Sequence, residues 1–226
     1  MTTVFKSFDA AARYGAAPVD QKVRRGPYRA WGKRVLDVIL TLALAPVALP
    51  LIAVSALLAM LDGGAPFYRQ SRVGRRGRVF SIVKIRTMVP GADRVLDAHL
   101  DANPAARREW DRDQKLHDDP RVTRIGALLR KTSLDELPQL WNVLTGDMSL
   151  VGPRPIMDDQ RDLYPGLAYY DLRPGITGPW QVSERNACSF AERAEFDDTY
   201  HRTLSLGTDL GILVRTAGVV LRCTGK

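Results

Sequence analysis

Asp135 and Glu136 stand side by side in SLDELPQLWN, residues 133–142, of a 226-residue chain whose 33 Lys/Arg outnumber 25 Asp/Glu to leave a net charge of +8. Adjacent carboxylates in a basic protein suit one of two jobs: capping a helix, or handling a phosphorylated substrate. Ser133, three residues ahead of Glu136, has the spacing of a capping box, with Ser133 at N-cap, Asp135 at N2 and Glu136 at N3. In that role the acids serve first-turn N–H groups and the helix dipole, worth about 0.5–2 kcal/mol. Pro138 then falls at N5, removes one early helix bond and predicts an irregular start. In either register both carboxylates lie at a helix N-terminus, where the field favours their ionised form and also attracts phosphate.

The chemical alternative needs cations nearby. Arg130 precedes the pair and Arg154 follows it, held between Pro153 and Pro155. Both suit fork-like contacts to phosphate, and both are equally readable as surface cations. Lys84 and Arg86 share one face of a strand-like run by period-2 alternation, about 6–7 Å apart, a spacing able to grip a diphosphate or simply to meet water and headgroups.

The elements that must position these residues follow from pattern. FYRQSRVGRRGRVFSIVKIRTM, residues 67–88, predicts a β-hairpin around Gly74–Gly77. Residues 92–116 are helical in composition, highly charged and interrupted near Pro104. TRIGALLRKTS, 123–133, predicts a short amphipathic helix with Ile125, Leu128 and Leu129 inward. Gly146 ends the helix that carries the acids. Ser205–Leu221 is amphipathic, fit to lie on the protein or in a membrane interface.

Val38–Leu61 contains 24 residues without a charge. As a straight helix it would extend about 36 Å, enough for a hydrocarbon core of about 30 Å. Pro46 and Pro50 predict a kink or break in its middle. Residues 22–34 hold six Lys/Arg and residues 69–86 hold seven, with no acid in either. Cationic flanks prefer the cytoplasmic side, so the expectation is a re-entrant helix that bends at the prolines and leaves by the face it entered. A Pro-kinked transmembrane span is the alternative. Residues 1–30 form a flexible basic arm, 31–62 the membrane helix and 63–226 a cytoplasmic domain. The expected fold class is α+β, helix-dominated, with a small hairpin or sheet.

The composition also excludes functions. Cys188 and Cys223 form no CxxC, and His99, His117 and His201 are scattered, so neither a disulfide framework nor a zinc site is read. No RRM, zinc-finger or helix-turn-helix signature accompanies the charge, which argues against nucleic acid. A non-enzymatic basic peripheral membrane protein remains the competing class. It supplies no reason for an acidic pair between Arg130 and Arg154.

KxRTM (Lys84–Met88), LRKTSLDELPQLWNVLTGDMSLVGPRP (129–155) and LRPGITGPWQVSERN (172–186) together resemble the bacterial sugar transferase family, the monotopic polyprenyl-phosphate phosphoglycosyl transferases. The resemblance runs from about Trp31 to the C-terminus, and its nearest flavour is the galactosyl- or glucosyl-phosphate transferases of exopolysaccharide pathways. It implies transfer of sugar-1-phosphate from a UDP-sugar to undecaprenyl phosphate with release of UMP, Mg²⁺ as cofactor, and a place on the inner face of the bacterial cytoplasmic membrane among its lipids. Asp135 matches the nucleophile of a covalent phosphosugar intermediate, with Glu136, and Asp135 itself, as Mg²⁺ ligands. Lys84, Arg86, Arg130 and Arg154 match phosphate contacts. Arg173, Gln181, Arg185 and Asn186 match a later motif for nucleotide or phosphate. Asp147 and Trp180 are read as structural, with stacking on uracil as the alternative for Trp180. Two departures stand out: Glu184 replaces a family glycine, and Ala45-Pro46 stands where relatives often carry Ser-Pro.

Overall fold

The computed structural model describes residues 26–183 and 190–222. Residues 1–25, which make up most of the expected basic arm, lie outside them. A π-helical turn, Tyr28–Gly32, runs directly into α1, Lys33–Leu61. At about 1.5 Å per residue, its 29 residues extend about 43 Å. The segment Tyr28–Leu61 is long and apolar enough to cross a membrane.

Pro46 and Pro50 lie inside α1, which continues through both. The break expected at the prolines is therefore not seen. Each proline removes a single ladder bond, and the Leu- and Ala-rich turns on both sides are strong helix formers that sustain the rest. Small or polar residues, Asp37, Thr41, Ala48, Ser55 and Ala59, make up the buried stripe of α1, while Ile39, Leu42, Leu44, Val47, Leu49, Val54 and Leu57 are exposed. Large apolar residues facing outward along a helix are what a hydrocarbon solvent favours.

The hairpin forms as its turn chemistry predicts. β1, Phe67–Val73, pairs with β2, Val79–Ile85, across Arg75–Gly77. Arg76 and Gly77 take positive φ there. α2, Ala92–Ala102, and α3, Pro104–Asp113, flank Asn103, whose Oδ1 accepts from the Ala105 and Ala106 amides at 3.1 and 3.3 Å while Pro104 occupies the first helical position. α4, Arg124–Lys131, follows with Thr123 as N-cap. Leu129 is buried and Ile125 packs beside it, but Leu128 is 55 % exposed, contrary to its expected inward direction. Ile125 and Leu129, four apart and so on one face, make the contact, and Leu128 is turned about 100° away from Leu129.

A 3₁₀ turn, Leu134–Gln139, leads to α5, Leu140–Thr145. Then come β3, Ser149–Val151; α6, Ala168–Asp171; β4, Gly175–Thr177; α7, Pro179–Val182; α8, Arg193–Thr203; and α9, Leu206–Leu221. β3 and β4 are parallel, with Ser149 opposite Gly175 and Val151 opposite Thr177.

The chain divides into two compact units. The first comprises Met1–Ala43, Gln70–Ile82 and Gln139–Gly218; the second comprises Leu44–Arg69, Val83–Pro138 and Val219–Lys226. One core of the first unit gathers Ile82, Val143, Met148, Leu150, Val151, Leu172, Tyr200 and Ile212. A second joins Val73, Ile156, Tyr164, Tyr169 and Phe190, with edge-on aromatic pairs between Tyr164 and both Tyr169 and Phe190. In the second unit Ala59, Ile85 and Leu129 pack together, and Leu96, Leu100 and Ala106 form a separate cluster with Trp110 and Leu116.

Candidate active site

Within the second unit, the two acids are introduced by a left-handed residue. α4 closes at Thr132, whose hydroxyl donates to the Leu128 carbonyl at 2.9 Å. Ser133 follows with φ +58, and its amide donates to the Arg130 carbonyl at 3.0 Å. An N-cap residue is extended, whereas Ser133 is left-handed, so the expected capping box is not formed. The irregular start predicted from Pro138 is present: Asp135 and Glu136 occupy the first turn of the 3₁₀ segment, with Pro138 inside it.

Glu136 reaches across to β2 rather than back to Ser133. Lys84 Nζ donates to its Oε1 at 2.7 Å, both side chains being under a fifth exposed. Asp135 is 7 % exposed. On the α4 side, Arg130 Nε donates to the Thr87 hydroxyl at 2.9 Å. This unit thus joins Lys84 to Glu136 and ties Arg130 to Thr87, two residues beyond the strand that carries Lys84. Arg86 takes a different task. It lies just beyond β2 and donates to the Ala59 carbonyl near the end of α1, at 3.0 Å. Alternation along β2 suggested a shared grip with Lys84; the strand ends at Ile85, and Lys84 pairs with Glu136 while Arg86 bonds the Ala59 carbonyl.

Arg154, Arg173 and Gln181 belong to the first unit. Arg154 is half-buried beside the fully buried Pro153. Arg173 Nε donates to the Gly146 carbonyl at 2.9 Å; burial, then the charges of Arg75 and Arg34, lower its pKa from the usual value. Gly146 ends α5 with φ +91, the left-handed position foreseen for it, and its amide closes on the Asn142 and Val143 carbonyls. Gln181 is buried on α7. The Arg193 guanidinium lies 4.2 Å from the centre of the Trp180 ring, which is 7 % exposed, so one face of that indole is already covered. Asp147 accepts from the Thr145 hydroxyl at 2.9 Å. Glu184, Arg185 and Asn186 lie outside the described residues, as does Cys188.

Among the described residues no cluster of three or more His, Cys, Asp or Glu forms a metal cage. Two neighbouring carboxylates are nonetheless the hard-oxygen pair that Mg²⁺ employs when waters and substrate phosphates complete its octahedron. The donor chemistry of Asp135 and Glu136 fits that ion.

The polar residue that sequence reasoning missed is Asp209, 1 % exposed in α9. It accepts from Tyr28 and Tyr200 at 2.5 Å and from Lys33 at 2.7 Å. A lone acid in a Leu/Val-rich amphipathic segment was the available signal.

The chain belongs to the bacterial sugar transferase family, whose sequence model matches residues 28–223. It is similar to the UDP-galactose-lipid carrier transferase of Erwinia amylovora, 48 % identical over 195 residues, 85 % of this chain and 41 % of that protein. It is similar to the exopolysaccharide production protein ExoY of Sinorhizobium fredii, 46 % identical over 86 % of this chain and 87 % of the relative. The undecaprenyl-phosphate galactose phosphotransferase of Salmonella typhimurium is 46 % identical over 85 % of this chain, which again spans 41 % of that protein. The chain thus covers about two fifths of two of these relatives and most of the third.

Proposed function

We propose that the chain moves a sugar-1-phosphate from a UDP-hexose to undecaprenyl phosphate, releasing UMP, at the start of exopolysaccharide repeat-unit assembly. Two relatives are named for galactose and undecaprenyl phosphate or a lipid carrier, which supports UDP-galactose as the first donor to try. The observation that carries the reading is the pairing of a nearly buried Asp135 with a Glu136 already engaged by Lys84. Buried acids beside a cation cluster at functional sites more than at surfaces.

In this reading an Asp135 oxygen attacks the sugar-bearing phosphorus of the diphosphate. The bridging P–O bond breaks and UMP departs with its electron pair. The acyl phosphate on Asp135 is then attacked by an oxygen of undecaprenyl phosphate, which forms the lipid diphosphate sugar and frees the carboxylate. Lys84 and Arg130 neutralise charge on the passing phosphoryl group. Mg²⁺ held by Asp135 and Glu136 would offset repulsion between the carboxylate and the diphosphate. The test is release of UMP from a panel of UDP-sugars by purified protein with Mg²⁺ and undecaprenyl phosphate. Asp135→Asn is expected to abolish release while leaving unfolding unchanged, since it removes the nucleophile and keeps the shape. Substantial turnover by that variant rules out Asp135 as nucleophile, and no release from any donor defeats the enzyme reading.

The cationic stretches on both sides of α1 support a cytoplasmic position for both flanks. Cysteines introduced as Gly26→Cys and Ser71→Cys, with Cys188 and Cys223 replaced by Ser, are expected to resist an external thiol reagent equally. Labelling of only one would establish a span instead.

A further inference from the structure

Two of the cationic stretches converge inside the first unit. Arg34, in the first turn of α1, donates through its two terminal nitrogens to the Val143 and Leu144 carbonyls at the end of α5. The same guanidinium lies 3.6 Å from where a Cβ on Gly146 would stand, and Arg173 donates to the Gly146 carbonyl. Two arginines therefore meet over one glycine. Arg75 is the third: its turn at the hairpin tip packs against α6, which ends two residues before Arg173. Among the described residues the Arg75 side chain makes no hydrogen bond or ion pair, and Arg173 makes none beyond its Nε. Asp37 is the nearby acid, but its Oδ1 already accepts from the Ser149 hydroxyl and the Leu150 amide, each at 3.0 Å.

Like charges gathered this way repel unless an anion stands among them. The surroundings say which anion. Trp31, one turn before Arg34, is 64 % exposed, and Trp141, two residues before Val143, is 65 % exposed. Exposed tryptophans therefore flank Arg34 on both elements that it joins, and Val35 beside it is exposed as well. Tryptophan settles at the membrane–water boundary, the depth of lipid phosphates.

We infer that Arg34, Arg75 and Arg173 hold the phosphate of an acidic membrane lipid at the base of the apolar helix. Guanidiniums around a phosphate give fork-like, charge-assisted bonds that a neutral headgroup cannot return in kind. Free phosphate shares that chemistry, so the experiment separates the two sources.

The full chain in neutral detergent is titrated with dioleoyl phosphatidylglycerol or dioleoyl phosphatidylcholine and read by native mass spectrometry. Phosphatidylglycerol is expected to be retained preferentially. Arg75→Gln should weaken that retention about five-fold, as loss of one cation at a lipid surface does. Arg108→Gln, an equal charge change at an exposed position of α3, should leave it intact. Trp141→Ala should lower partition into phosphatidylglycerol vesicles without altering unfolding. Equal loss in both arginine variants, or equal retention of the two lipids, overturns the site. Displacement of the lipid by millimolar phosphate or UDP assigns the cluster to a soluble anion and overturns the lipid assignment. Binding is read without turnover, so failure of the transferase reading would leave this test standing.

Discussion

At its N-terminal end α1 is fastened by buried charge: Lys33, Tyr28 and Tyr200 all donate hydrogen bonds to the carboxylate of Asp209, and Lys33 also lies over the Tyr200 ring. At its C-terminal end the fastenings are hydrogen bonds to a carbonyl and a hydroxyl. Arg86 holds the Ala59 carbonyl, and Asp62, just past the helix, accepts from the Thr123 hydroxyl at 2.5 Å. Thr123 in turn caps α4, which leads to the two acids. The contrast teaches where rigidity is concentrated. A desolvated carboxylate with several donors is costly to disrupt, whereas a single bond between one charged group and a neutral partner contributes about 1.5–3 kcal/mol. The softer attachment belongs to the unit that carries Asp135 and Glu136.

The sharpest way to break this contrast is Asp209→Ala, which leaves the Lys33 ammonium buried and unpaired. A loss of about 3–5 kcal/mol is expected in chemical unfolding. A loss no larger than that of a C-terminal variant would mean the two ends are equivalent.

The units should also differ in their response to pH. Burial, reinforced by Asp198, raises the Asp197 carboxyl from 3.8 to about 7, against the bond it accepts from Tyr164. The folded first unit therefore holds that proton more tightly than the unfolded chain does. Its contribution is full below about pH 4 and is lost as pH rises towards 7, at up to about 1.4 kcal/mol per pH unit. Asp119 in the second unit goes the other way. Burial pushes it up, but two bonds and the charge of Arg121 bring it below its usual value, so its contribution is lost on acidification below about pH 4. Asp197→Asn should flatten the slope between pH 4 and 7, and Asp119→Asn the fall below it, in thermal unfolding followed across pH. Slopes unmoved by either variant would remove the contrast.

The smallest effect expected is from Thr123→Val, which deletes the cap of α4 and the bond to Asp62. About 1–2 kcal/mol should go. A lower turnover at unchanged donor KM would show that the softer end communicates with the acids.

What was legible in the sequence was local. Gly74–Gly77 announced the hairpin, Pro104 the boundary between α2 and α3, and Gly146 the end of α5, because each signal is a backbone requirement satisfied within a few residues. The KTSLDELP stretch announced its acids and its irregular start. What was not legible required partners distant in sequence. Glu136 turns to Lys84, 52 positions away, instead of closing a capping box, and Arg86 is claimed by a helix end that strand alternation cannot foresee. Asp209 gains its importance only when residues 28, 33 and 200 gather around it. The course of α1 through Pro46 and Pro50 follows from the strength of the surrounding helix, a sum over many residues that a single proline does not outweigh.

Ser133 has a practical corollary. Because one residue in left-handed conformation aims the whole LDELP stretch, grafting that stretch onto another scaffold will succeed only if its leading position tolerates φ near +58. Glycine or asparagine should substitute there, while valine or isoleucine would swing both acids off their line.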